Sequence, residues 1–189
     1  MRIATTTLVV AASIAGAFAF SGAACAEPFM LTSASFKDGG MLQTKNAGNT
    51  KGNANCVGEN VSPDLKWSNA PAGVKSFVLV ASDWEGQGGL GSHHLVVYGI
   101  APSVTGFAEG ELSKSSDKFV GGKESSGTEM YRGPCPPAGT GMHHYLFNII
   151  VTDLEPKELP AGLNRAELFD KLKGHAKGVA GIVALFGRN

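Results

Sequence analysis

Three apolar stretches without proline, at residues 76–82, 94–100 and 144–152, constrain this chain more than any other feature. All three are rich in Val, Ile, Leu, Phe and Tyr, residues that fit a pleated, packed surface. Two are apolar on both faces, the pattern of strands buried between layers. Glycine punctuates the spaces between such runs, with clusters at 39–40, 86–91, 121–122 and 133–141, which reads as loops joining strands. One helix is predicted. Asn164 caps it, Glu167 three residues later completes a capping box, and Ala166, Leu168, Phe169 and Leu172 form its apolar stripe. It is expected over 165–173, reaching 177 in its longest version. Residues 182–186 read as a closing strand, with a helical Ala/Gly-rich tail as the alternative, and the polar Gly/Asn-rich stretch 38–58 reads as loop. There are no repeats and no interdomain linker. Strands early and a helix late predict a mainly β fold, an antiparallel β-sandwich with a peripheral C-terminal helix.

The N-terminus sets the expected compartment. Arg2 gives a positive start, an apolar run follows from Leu8 to Phe20, and Ala24-Cys25-Ala26 offers small residues where a signal peptidase reads. Residues 1–26 are therefore expected to be a signal peptide and 27–189 a single domain, periplasmic or secreted. The competing reading makes Cys25 a lipidated terminus; Gly22, where a lipoprotein signal usually has leucine, weighs against it. The apolar run is too short for a membrane span, and no transmembrane anchor is expected. The formal charge of the whole chain is +0, and cleavage removes Arg2 and no acid. Such a balance gives no electrostatic reason to expect nucleic acid or an anionic membrane as partner. Cleavage leaves Cys56 and Cys135. Two cysteines in an oxidising compartment most simply pair, and a bridge over that separation would contribute about 4–5 kcal/mol through loop entropy. Two separate buried thiols are the alternative.

Four of the five histidines form two doublets, His93-His94 and His143-His144, each opening an apolar run. Neighbouring side chains on an extended strand point to opposite faces, so each doublet gives at most one ring to a shared site. That argues against a four-histidine metal centre, and neither metal nor cofactor is expected. The second doublet follows a loop, 131–141, stiffened by Pro134, Pro136 and Pro137, while Gly139 and Gly141 permit close approach to a ligand. Such loops can aim N–H groups at an anion. Alternation places His143 and Tyr145 on one face. Asp83 and Glu85 end the first apolar run; Asp83 beside either histidine would favour the charged ring and fix its orientation. The structural reading of each feature is plain too: hydrogen-bonded strand histidines, a well-pinned Pro/Gly turn, solvated acids.

The motif Gly58-Glu59-Asn60-Val61-Ser62-Pro63-x-Leu65-x-Trp67, the acid-bearing strand end, the His94 strand, and Gly133-Pro134-Cys135-Pro136-Pro137-x-Gly139 with His143-His144-Tyr145 occur in that order. Together they resemble the phosphatidylethanolamine-binding protein family, in its bacterial Raf-kinase-inhibitor-like branch, over nearly the whole chain after residue 26. The resemblance implies a β-sandwich and a small pocket for phosphate-like or carboxylate anions, lined by Asp83, His94, Gly133, Cys135, His143 and Tyr145, with Tyr131 in the same loop. One departure concerns the turn after Asp83. The family usually has Asp-Pro-Asp-x-Pro where this chain has Asp83-Trp84-Glu85-Gly86-Gln87, so Glu85 keeps a carboxylate on a longer stem and loses the prolines that would aim it.

The leading expectation is an exported binding protein for a small anionic group. An inhibitor of a protease or kinase, acting through the pocket rim, is the second reading; a protein partner and a homodimer are both compatible with the sequence. A weak hydrolase using the His/Asp/Tyr cluster is the third. The chain shows no Gly-x-Ser-x-Gly elbow, no His-Glu-x-x-His and no clear nucleophile, so no catalytic residue is assigned.

Overall fold

The computed structural model describes Met1 and residues 27–188; the signal-peptide expectation and Cys25 lie outside the described residues. The strands in chain order are β1 (Met30–Thr32), β2 (Gly40–Met41), β3 (Leu65–Ser68), β4 (Ser76–Asp83), β5 (Ser92–Ile100), β6 (Gly106–Phe107), β7 (Val120–Gly121), β8 (Gly141–Thr152) and β9 (Ala176–Arg188). Six of them form one sheet in the order β2-β9-β8-β4-β5-β7, and three form a second in the order β1-β3-β6.

The apolar runs predicted as strands become the centre of the large sheet. On β4, Phe77, Leu79 and Ala81 pack into a core shared with Leu31, Leu65, Trp67 and Phe107 of the small sheet. Their neighbours Val78 and Val80 face the other way, onto a second cluster with Val96, Tyr98, Leu168 and Leu172. Both faces are therefore covered, one by the second sheet and one by the helix Arg165–Lys171, and every residue of β4 is buried. The helix begins as its sequence dictates: Asn164 accepts from the Glu167 N–H at 3.0 Å, and the Glu167 carboxylate accepts from the Asn164 N–H at 2.9 Å. Leu168 anchors it with full burial, and truncation to alanine would cost about 2–5 kcal/mol.

Three expectations are corrected. The helix stops at Lys171, because Gly174 takes a left-handed φ of 81° and turns the chain. The closing strand starts at Ala176, not Ile182, since β8 offers β9 a partner at nearly every position from Thr152 to Gly141; pairing overrides the weak strand propensity of alanine and glycine. The 38–58 stretch is mostly loop but contributes β2, which lies parallel to β9, so the otherwise antiparallel large sheet has one parallel edge. Cys56 and Cys135 are joined in a disulfide.

Candidate functional site

The site forms where β4, β5 and β8 end together. Register places Asp83 of β4 opposite Tyr145 of β8 on one side and Ser92 of β5 on the other, so three side chains share one face. His143 precedes Tyr145 by two residues and joins them. The face continues the core row Phe77, Leu79, Ala81, so the pocket is the polar end of the hydrophobic core.

His94 reaches the pocket by another route. The β4–β5 register shifts between Ala81, opposite Leu95, and Ser82, opposite His93. His94 is the extra residue of this β-bulge, a device that re-aims side chains beside functional sites. Strict alternation from Val96 and Tyr98 would have sent it to the helix side. The bulge turns it to the pocket instead, with its ring 5.1 Å from that of Tyr145 in an edge-on arrangement.

The acid and the second histidine hold each other. His143 Nδ1 lies 2.8 Å from Asp83 Oδ2, both side chains buried. Asp83 Oδ1 accepts from the backbone N–H groups of Glu85 and Gly86 at 2.9 and 3.0 Å. The other ring nitrogen, Nε2, lies 3.1 Å from Thr140 Oγ1, and that hydroxyl donates to the Pro137 carbonyl at 2.9 Å. Nδ1 carries the hydrogen that the Asp83 carboxylate accepts, and the Thr140 hydroxyl lies between the Pro137 carbonyl and Nε2. Asp83 thus orients His143 and caps the turn behind it.

That turn replaces the prolines of the related motif. Besides the two bonds to Asp83 Oδ1, Gln87 adopts φ 53°, which proline cannot. Gln87 Nε2 donates to Ser92 Oγ at 3.2 Å. Glu85 points outward: its Oε1 lies 2.7 Å from His144 Nδ1, with both side chains about half exposed. Glu85, which lost the prolines of the related motif, does not line the pocket, because His144 on the opposite face of β8 draws it to the rim. His93 also lies away from the pocket, 3.0 Å from Ser82 Oγ and edge-on to Trp84. Trp84 packs on that outer side, with the Arg165 guanidinium over its ring.

The loop before β8 closes the site. Arg132 donates its N–H to the His94 carbonyl at 2.8 Å, and its own carbonyl accepts from His94 Nδ1 at 2.7 Å. Gly133 N–H donates to Asn60 Oδ1 at 2.8 Å, while Asn60 Nδ2 donates to the Tyr131 carbonyl at 2.9 Å. A side chain at 133 would place Cβ 2.3 Å from the Asn46 carbonyl oxygen, so glycine is required for packing. Two expectations change here. The Gly133 N–H is taken by Asn60 and is not offered to a ligand, although the residue lines the pocket. Tyr131 does not line it: the ring is buried beneath the loop and its hydroxyl donates to the Asn46 carbonyl at 2.9 Å.

The pocket has a volume of about 110 Å³, lined by Asp83, His94, Cys135, His143 and Tyr145 together with Gly86, Gln87, Ser92, Arg132, Gly133, Pro136 and Pro137. Ser92 and Gln87 were missed from sequence; Ser92 faces Asp83 across the ladder, which only the register reveals. Burial pushes the pKa of His94 below its ordinary value, the charge of Arg132 adding to this, while the hydrogen bond to the Arg132 carbonyl and the carboxylates of Asp83 and Glu124 oppose it. Burial, with the nearby Asp83 charge, pushes the Tyr145 hydroxyl far up, so it is a proton donor throughout the physiological range. Among the described residues, no group of three His, Cys, Asp or Glu side chains converges as a metal site, and no helix is long and apolar enough to cross a membrane.

Comparison with known proteins gives a consistent result. A family model described as phosphatidylethanolamine-binding protein matches residues 32–187. The protein YbcL of Escherichia coli is 33% identical over 162 residues, covering 84% of each chain. Lipoprotein LppC, so named in Mycobacterium tuberculosis, is 35% identical over 164 residues, covering 87% of this chain and 75% of that one. The crystal structure of YbcL, titled as a new member of the mammalian PEBP family, superposes with a TM-score of 0.76 at 29% identity, covering 85% of this chain and 99% of the other.

Proposed function

The chain belongs to the phosphatidylethanolamine-binding protein family, with relatives of the YbcL and YbhB type, and from that premise we propose that it is an exported receptor for a small oxyanion, phosphate-like or carboxylate. The observation that carries this reading is that the acid, the second histidine and the cysteine of the pocket are already engaged. Asp83 accepts at both oxygens, both His143 nitrogens have partners, and Cys135 is in a disulfide. What faces the cavity is a set of hydroxyls and a histidine ring, suited to holding a ligand. A cavity of about 110 Å³ is well below the 300–1,000 Å³ typical of drug-sized ligands; it accommodates a head group, not acyl chains. Export is supported by the disulfide, which persists in oxidising compartments, and by the lipoprotein name of one relative.

Calorimetric titration of the purified protein with inorganic phosphate, acetate and dimethyl phosphate tests the reading. Binding of at least one, at one site per chain with a Kd roughly between micromolar and millimolar, is expected. No heat with any of the three would overturn it. Hydrolysis of p-nitrophenyl phosphate or acetate that disappears in His143→Ala would instead establish catalysis.

A further inference from the structure

Among the described residues, three buried side-chain polar atoms have no hydrogen-bond partner: Trp67 Nε1, Arg165 Nε and His94 Nε2. The first two belong to side chains outside the pocket lining. His94 lines the pocket and is only 6% exposed. Its Nδ1 sits 2.7 Å from the Arg132 carbonyl oxygen, which can only accept, so Nδ1 carries a hydrogen. In the neutral ring Nε2 is then a bare lone pair, buried and unmatched, and such an atom costs free energy until a donor meets it.

We propose that the pocket takes its oxyanion in the singly protonated form, with the ligand's own hydroxyl donating to His94 Nε2. This rests on the receptor reading above and specifies its ligand: a hydrogen phosphate or phosphomonoester monoanion, or a carboxylic acid, in preference to a fully ionised group or a phosphodiester, neither of which has a hydroxyl to donate.

The surroundings of His94 favour the neutral ring. From β4 it faces the Asp83 carboxylate, already paired with His143 of β8. From β8 it meets the uncharged Tyr145 ring. From the loops come Arg132 and Glu124, whose charged groups lie 3.8 Å apart. On its own strand His93 lies on the opposite face beside Ser82. Burial pushes the ring toward neutrality and the Arg132 charge adds to this, together outweighing the Arg132 carbonyl and the Asp83 and Glu124 carboxylates, which favour an imidazolium. The remaining polar groups complement a protonated anion: Ser92 accepts from Gln87 and so has its own hydrogen to donate, and Tyr145 stays a donor. The bound group would thus give one hydrogen to His94 and receive others on its ionised oxygens. Where the free ligand is a dianion, binding draws a proton from the buffer, and no proton leaves the protein.

The test compares methyl phosphate with dimethyl phosphate, which has no ionisable hydroxyl. Titration calorimetry is run from pH 6.5 to 8.5 in pairs of buffers with different ionisation enthalpies. The second pKa of a phosphomonoester lies near 6, and affinity scales with the competent fraction. Methyl phosphate should therefore lose on the order of fifty- to hundredfold in affinity across that range, taking up close to one proton per ligand near pH 8. Dimethyl phosphate should bind more weakly than methyl phosphate at pH 6.5 and take up no proton. Nitrogen-15 spectra of His94 should keep the unprotonated Nε2 signature in the methyl phosphate complex. Proton uptake with dimethyl phosphate, or an Nε2–H in the methyl phosphate complex, would place the proton on His94 and overturn the proposal while leaving the receptor standing. Dimethyl phosphate binding as tightly as methyl phosphate at pH 6.5 would do the same. Silence from both phosphates and from acetate would overturn the receptor reading itself.

Discussion

Two histidine–carboxylate pairs lie back to back on β8. His143 meets Asp83 at 2.8 Å and His144 meets Glu85 at 2.7 Å. The lengths are nearly the same, yet the side chains of the first pair are 7% and 4% exposed and those of the second 57% and 43%. In the buried pair the ring and the carboxylate lack water, so each depends on its partner and on the neighbouring backbone and hydroxyl groups. At the surface, solvent screens the same contact. Burial decides what a pair does here, and distance does not. The inner pair orders the pocket; the outer one trims its rim.

The largest effect should come from the covalent tie that only the inner region has. The Cys56–Cys135 bridge spans a sequence separation of 79, and the Cys56→Ser/Cys135→Ser double variant should lose about 4–5 kcal/mol of stability in urea unfolding, with weakened phosphate binding. Unchanged stability would show that the pocket loop is held by Asn60 and packing alone. Next, Asp83→Asn replaces the buried carboxylate that holds the His143 ring and two backbone N–H groups and should cost about 1–3 kcal/mol, whereas Glu85→Gln should cost no more than a few tenths. Equal losses in urea midpoints would erase the distinction between the pairs.

Affinity sharpens the contrast further. His143→Ala would leave a bare Asp83 carboxylate beside the bound anion, and phosphate affinity should fall tenfold or more. His144→Ala, on the opposite face, should change it less than twofold. The same asymmetry is expected for His94→Ala over His93→Ala, with circular dichroism confirming intact folds. A smaller effect concerns pH. The folded-state pKa of His94 is lowered, so the native state binds fewer protons than the unfolded one. Its contribution to stability is therefore full above the unfolded value near 6.5 and is lost as pH falls toward the folded value, with a slope of at most about 1.4 kcal/mol per pH unit. Chemical denaturation of the wild type and His94→Gln between pH 5 and 7.5 measures it, and an unchanged slope in the variant would remove His94 from this role. Smallest is the acid response of the outer pair. Burial would raise the Glu85 carboxyl, but the hydrogen bonds from His144 and nearby backbone outweigh it and hold it below the ordinary range. Its few tenths of a kcal/mol should fade as pH falls below about 4.5, and Glu85→Gln should show no such loss.

Much of this was legible in the amino-acid order. The three central strands are apolar over lengths that no exposed segment could carry, and the Asn164–Glu167 capping box fixed the helix start. His143 could be assigned to the pocket face because β8 alternates without interruption, with His143, Tyr145, Phe147 and Ile149 buried. His94 could not be assigned that way. Its parity along β5 matches Val96 and Tyr98, which face the helix, and only the bulge against Ala81 and Ser82 brings it round. A bulge is a property of two strands in register, which local sequence does not encode. The same holds for Glu85, drawn outward by a histidine 59 residues away, and for Gly133, whose N–H is claimed by Asn60 from 73 residues away. Periodicity and capping act between near neighbours, so the chain alone determined its elements and the face of His143. Which polar groups satisfy one another across the strand ends was decided by the tertiary structure, because those partners meet only when β4, β5 and β8 are aligned.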